Sequence, residues 1–202
     1  SDVYKRQVMH WISFLILRLL TLTLITLSSA VAEEEWTITK FDNLVYATVS
    51  GEVTHGDTLN FYVRSEDNCE KVWNTFSFYT YEKPGDIKQL LHKNVPIKIN
   101  GVDVSAKVIT VNPFLMGYRV SFSLGGFPIK EYTQFLKVFY DEFQKYEIEI
   151  VDGLDFKASK YFDISNNNWK LDDLIPSVLE ANKQCKLCLL YTSPSPRDVE
   201  ES

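Results

Sequence analysis

The chain has 202 residues, of which 45% are hydrophobic and 24% are charged, which is enough apolar content to build the core of one domain. This composition excludes an intrinsically disordered chain, a coiled coil and a small disulfide-dense protein. A net charge of −6 and a pI near 5.1 disfavour a nucleic-acid partner, because proteins that bind nucleic acid present a basic surface to the phosphates.

Two terminal segments, residues 1–7 and 188–202, read as in-frame translations of the two partner strands of a sequencing adapter. A natural polar tail is the alternative. Because such strings do not belong to the natural protein, they are set aside when the fold is predicted. We expect both segments to lie outside the packed core.

Residues 8–32 are typical of a secretory signal peptide. Arg18 precedes an apolar stretch over residues 19–27, and Ala30-Val31-Ala32 is a small-x-small cleavage site. The uninterrupted stretch is shorter than the ~20 residues that a membrane span needs. If the apolar segment is counted from Met9, an uncleaved membrane anchor is the alternative, and it would be the only contact with a membrane. We expect a mature, periplasmic or secreted domain over residues 33–187.

The mature segment contains two cysteines, Cys69 and Cys185. An even pair in an exported chain predicts a disulfide, because the compartments outside the cytoplasm are oxidising. Two buried thiols are the alternative. Neither cysteine has a second Cys or a His at the spacing of metal ligands, so no metal site is expected.

The first two thirds of the mature segment read as β-strands. Asp42-Asn43 is a turn pair, and Asn100-Gly101 suits a type I′ hairpin. Several runs alternate apolar and polar residues with the period of a half-buried strand. The predicted strands are 36–41, 44–50, 59–64, 75–79, 95–99, 102–111 and 118–124. In the last of these we expect four residues to face the core: Tyr118, Val120, Phe122 and Leu124.

A helix is predicted over residues 129–144. We expect Gly125-Gly126 to end the preceding strand and Pro128 to occupy the first helical position. Five aromatic or aliphatic side chains fall on one face at helical spacing, which predicts a stripe that faces the core. This stripe consists of Tyr132, Phe135, Leu136, Phe139 and Phe143.

The remaining segment predicts a hairpin, a turn and a second helix. Asp152-Gly153 is the turn pair of a predicted hairpin over 148–158, and the run 166–168 of three asparagines predicts a turn. The second helix begins after a cap at Asp172 or Asp173 and ends near Cys185. Its apolar face, which includes Cys185, supports the disulfide.

The sequence lacks the patterns of common catalytic sites. It has no Gly-x-Ser-x-Gly elbow, no Gly-rich phosphate loop and no His-Glu-x-x-His motif. His55 and His92, the two histidines of the mature segment, are each isolated in sequence. We therefore expect a non-catalytic protein without a cofactor. A hydrolase would need one of these histidines within hydrogen-bonding reach of a Ser, a Cys or a carboxylate.

Four residues form a candidate binding surface: Tyr62, Arg64, Tyr79 and Tyr81. They alternate with the predicted core residues of the strands 59–64 and 75–79 and so fall on the opposite face of the sheet. Exposed tyrosines on a sheet stack on sugars or contact partner proteins, so an envelope protein or a glycan is the predicted partner. A second layer that covers the tyrosines is the alternative.

An early Trp36, the signal peptide, the hairpins and a last helix that ends at Cys185 define the layout of the chain. Over residues 36–185 this layout distantly resembles the small exported proteins related to invasion-associated locus B of α-proteobacteria. The resemblance is limited to layout, since Tyr46 and Ala47 stand where early cysteines are expected.

Together these patterns predict an α+β fold, mainly antiparallel sheet with two helices packed against it. The predicted function is an exported, non-catalytic accessory or binding module of a bacterial envelope. A carrier of a small apolar ligand is the first alternative, and it needs a cavity of roughly 300 Å³ or more between sheet and helix. A small hydrolase is the second.

Overall fold

Nine strands form one antiparallel sheet in a computed structural model that describes residues 35–54 and 56–192. The strands are β1 (Thr37–Phe41), β2 (Leu44–Ser50), β3 (Thr58–Arg64), β4 (Lys71–Thr80), β5 (Asn94–Ile99), β6 (Val102–Phe114), β7 (Gly117–Pro128), β8 (Lys145–Ile150) and β9 (Asn166–Lys170). Their order in the sheet is β1-β2-β3-β4-β7-β6-β5-β8-β9. The predicted signal peptide, residues 8–32, and the segment 1–7 lie outside the described residues.

Three α-helices accompany the sheet in this part of the chain: α1 (Ile129–Phe143), α2 (Ala158–Tyr161) and α3 (Leu174–Thr192). Helix α3 packs on β2 and β3, and α1 packs on β4 and β7. The predicted α+β fold with two helices on an antiparallel sheet is confirmed, and the single-turn α2 is an addition to it. Among the described residues, no helix is both long and apolar enough to cross a membrane.

The sheet curls around a core of aromatic rings. Phe76 and Phe122 stack with their centroids 4.8 Å apart, and Phe78 meets Trp169 edge to face at 6.1 Å. Since Phe78 belongs to β4 and Trp169 to β9, four strands lie between them in the sheet order. Their contact therefore requires the sheet to bend until its two halves face each other.

The hairpins predicted at Asp42-Asn43 and Asn100-Gly101 form as predicted. Asn100 and Gly101 both have positive φ, 46° and 81°, as a type I′ turn requires. In β7, Val120 and Phe122 are fully buried, as expected. The expected break at Gly125-Gly126 is wrong, because β7 continues to Pro128 and Gly126 pairs with Trp73 of β4. Pro128 therefore precedes the first residue of α1.

The predicted hairpin over 148–158 is also wrong. Both edges of β8 are already occupied, one by β5 and the other by β9. The segment after β8 instead folds into a loop in which the Asp152 carboxylate accepts hydrogen bonds from the Ala158 N–H at 2.9 Å and the Lys157 ammonium at 2.7 Å. Leu154, expected in a strand, is fully exposed.

The three asparagines predicted as a turn belong to β9. Asn167 and Trp169 alternate inward and are buried, so the strand has the ordinary period of two. The preference of asparagine for turns is overridden here because the buried Asn167 amide finds hydrogen-bond partners inside the protein.

The helices follow their predicted faces with two corrections. In α1, Tyr132 and Leu136 are buried, whereas Phe135 is 53% exposed and stacks its ring on the outer side of Tyr132. Helix α3 runs to Thr192 rather than ending near Cys185. Leu189, one turn after Cys185 on the same face, packs against the core, so the expectation that all of 188–202 lies outside the core is wrong at this residue.

Candidate functional site

The structure divides the predicted binding surface into two clusters. Tyr62 and Arg64 lie on β3 beside Trp73 of β4, whereas Tyr79 lies near the end of β4 and Tyr81 just beyond it. Six residues of extended chain separate Trp73 from Tyr79, or about 20 Å. The four residues do not form one site.

The contacts of the first cluster are made within the protein. Tyr62 lies between the ring of Tyr46, at 5.0 Å, and that of Trp73, at 6.3 Å. The Arg64 guanidinium lies 4.2 Å from the centre of the Trp73 ring and forms an ion pair of 2.7 Å with Asp67. The hydrogen bonds from Arg64 lower the pKa of Asp67. Because these ring faces and charges already have partners within the protein, they are less available to a ligand than the sequence suggested.

The second cluster surrounds the base of the β6–β7 hairpin. Tyr79 is buried, which corrects its expected exposure, whereas Tyr81 is 55% exposed. The rings of Tyr81 and Phe114 meet the Tyr79 ring edge to face at 4.8 and 5.9 Å. The Arg119 guanidinium lies 3.8 Å from the centre of the Phe114 ring. Tyr81 is therefore the tyrosine of this cluster that a partner can reach.

A groove of about 390 Å³ lies between α1 and the strands β5 to β8. Its lining is aliphatic or aromatic throughout and consists of Ile99, Val104, Leu124, Phe127, Tyr132, Phe135 and Tyr146. Phe135 and Val104 remain 53% and 37% exposed at its rim. The sequence signal that could have indicated this groove is the alternation of β6, in which Val102 and Val104 extend the apolar face of the strand.

A buried polar cluster stands behind the groove. The side-chain amide of Asn74 donates to the Tyr132 hydroxyl at 2.9 Å and to the Tyr146 hydroxyl at 3.3 Å. Burial raises the pKa of Tyr132 to about 12, and burial also raises the pKa of Tyr146. Both tyrosines that line the groove are therefore uncharged over the whole physiological range.

One buried carboxylate, that of Asp57, was not among the site residues predicted from the sequence. Asp57 is 1% exposed and accepts hydrogen bonds from the backbone N–H of Tyr79 and from the side chain of Asn167. Burial raises its pKa from 3.8 to about 6. Its contacts join β4 to β9, which indicates a structural role.

The disulfide between Cys69 and Cys185 is present, with Cα atoms 6.0 Å apart. It links the turn before β4 to α3, and the Asn182 side chain of the same helix donates to the Cys69 carbonyl.

The histidines do not gather into a site in the described residues. His92 is exposed in the turn before β5, and His55 lies outside them. The same residues contain no cluster of three or more His, Cys, Asp or Glu side chains able to hold a metal ion.

Comparison of the chain with protein-family models, with curated proteins and with solved structures gives no match. A functional assignment therefore depends on the geometry of the groove.

Proposed function

We propose that this protein is an exported, non-catalytic binding module that holds a small apolar ligand in the groove between α1 and β5–β8. The volume of about 390 Å³ supports this, since small-molecule sites begin at about 300 Å³ and are mostly apolar. Of the functions expected from the sequence, the apolar-ligand carrier is the one that requires such a cavity.

One wall of the groove is a row of parallel rings. Phe127 and Tyr132 stack at 4.4 Å, and Tyr132 and Phe135 stack at 5.7 Å, each pair within 16° of parallel. Because each ring holds its neighbour, the wall is ordered before a ligand arrives, and less conformational entropy is lost on binding. A flat or linear hydrocarbon group fits such a wall.

The electrostatics of the groove favour an uncharged group. No charged side chain belongs to its lining, and an ion placed there would lose hydration without gaining a partner. The hydroxyl groups of Tyr132 and Tyr146 stay neutral. The disulfide is compatible with the oxidising compartment that the proposal assumes.

The test is a fluorescence titration of the full chain with N-phenyl-1-naphthylamine, a neutral aromatic probe that brightens in apolar surroundings. We expect saturable binding by the wild type. Val104→Asp places a charge at the groove rim and should weaken binding at least about tenfold, because burying an unpaired carboxylate is costly.

Val102→Asp is the matched control. Val102 lies two residues before Val104 on the same strand and the same face, is 61% exposed and does not line the groove. This variant should change the affinity for the probe by no more than about twofold. The proposal is wrong if the wild type binds no probe saturably, or if both aspartate variants lose binding equally while their circular dichroism stays unchanged.

A further inference from the structure

The β6–β7 hairpin ends in two large apolar residues that point into solvent. Leu115 and Met116 form the two-residue turn between the paired residues Phe114 and Gly117. Their exposed fractions are 83% and 71%. Turns of this kind are normally made of Gly, Asn, Asp or Ser, so the tip is apolar where local structure favours polar residues.

The backbone conformation of the tip is also unfavourable for the residues found there. Leu115 has a φ of 50°, a conformation that Gly and Asn adopt readily and that is strained for leucine. The Asn100-Gly101 turn of the same sheet shows the sequence that suits such geometry. Strain of this kind is concentrated at functional positions.

The side chains behind the tip are aromatic and cationic. Tyr81 is 55% exposed, and the Arg119 guanidinium lies over the Phe114 ring at 3.8 Å. Tyrosine and arginine combine an apolar body with a polar end, and this is the combination found where a protein crosses from water into lipid.

We infer that the β6–β7 tip inserts into the surface of a lipid bilayer, with Leu115 and Met116 in the hydrocarbon and Tyr81 and Arg119 at headgroup level. A bilayer fits better than a protein pocket, because a stable protein contact buries about 800 Å² on each partner and this tip is only two residues wide. Since the net charge is −6, attraction to anionic lipid does not drive the contact, so the inference is for a zwitterionic bilayer.

This inference is independent of the proposed function. Ten residues of β6 separate Phe114 at the tip from Val104 at the groove, or about 33 Å of extended chain. The two surfaces therefore lie at opposite ends of the strand, and either can fail alone.

The test is co-sedimentation of the full chain with phosphatidylcholine vesicles. The wild type should bind, and Leu115→Gly combined with Met116→Ser should lower the partition coefficient about tenfold or more, because both immersed side chains are removed. Glycine suits a φ of 50°, so this variant should keep or raise the melting temperature. A loss of binding is then not a loss of folding.

Leu154→Ser is the matched control, since Leu154 is a fully exposed leucine in the loop between β8 and α2. It should bind vesicles like the wild type, as should Val104→Asp. The inference is overturned if the wild type does not bind, if the double variant binds equally well, or if Leu154→Ser loses as much. Self-association that depends on the tip, without vesicle binding, would assign the tip to a protein contact and overturn it too.

Discussion

The Asp57 carboxylate accepts a hydrogen bond of 2.8 Å from the side-chain amide of Asn167. Asp57 lies in the loop after β2, and Asn167 lies in β9 at the far end of the sheet order. Asn167 also accepts from the Val53 N–H at 2.9 Å and donates to the Thr54 carbonyl at 3.2 Å. This small network holds the two ends of the curled sheet together.

Titration of Asp57 should make stability depend on pH. Its pKa is about 6 in the folded protein, above its ordinary 3.8, so the folded protein binds this proton more tightly than the unfolded chain. The resulting stabilisation is fully present below about pH 4 and is lost as the pH rises through about 6, a change of up to about 3 kcal/mol.

Urea denaturation of the wild type and of Asp57→Asn, at several pH values from 4 to 7.5, measures this effect. The difference between the two unfolding free energies isolates Asp57 from the other carboxylates. A difference that stays constant over this range would contradict the prediction.

Asn167→Ala should destabilise the protein by about 3 kcal/mol, because it leaves the buried Asp57 carboxylate and two partly buried backbone groups without this partner. Its neighbour Asn166, which is exposed in the same strand, provides the control. Asn166→Ala should change the unfolding free energy by less than about 0.5 kcal/mol. Equal effects of the two substitutions would show that the network does not close the sheet.

Loss of the disulfide should cost about 5 kcal/mol. The bond closes a loop across 116 positions, and the chain entropy that such a loop removes from the unfolded state gives this magnitude. Unfolding of the Cys69→Ser, Cys185→Ser double variant by urea measures it. Adding reductant to the wild type should produce the same loss, whereas reductant should not affect the double variant.

Gly126→Ala should destabilise the protein by about 1–3 kcal/mol. A Cβ atom at this position would lie 2.6 Å from the Trp73 ring, so the ring and its Arg64 partner would have to move. Gly85→Ala is the control, since nothing lies within 4 Å of a Cβ there. A melting temperature of Gly126→Ala equal to that of the control would show that Trp73 moves freely.

The strands that were predicted correctly are those whose structure follows from the pattern of their own residues. Leu59, Phe61 and Val63 alternate with polar residues, and a strand with that pattern is half-buried wherever it pairs. The Asn100-Gly101 turn likewise depends only on its own residues. The disulfide required one further step, the placement of Cys185 on the apolar face of the last helix.

The errors arise where distant residues decide the local structure. Asn167 is in a strand because Asp57, 110 positions earlier, accepts its hydrogen bond. Gly126 stays in a strand because it pairs with Trp73 of β4, whose ring occupies the space that a side chain would need. The residues that line the groove were not predicted, because they come together from α1 and from four different strands. Such relations follow from tertiary contacts and cannot be read from a window of sequence.

The link between Cys69 and Cys185 also sets an order of events in biosynthesis. Cys69 leaves the ribosome 116 residues before its partner, which corresponds to roughly 6–23 s of translation at about 5–20 residues per second. Throughout that interval the native bond cannot form, because Cys185 has not yet been synthesised. Formation of the native disulfide is therefore a late step that follows synthesis of nearly the whole domain.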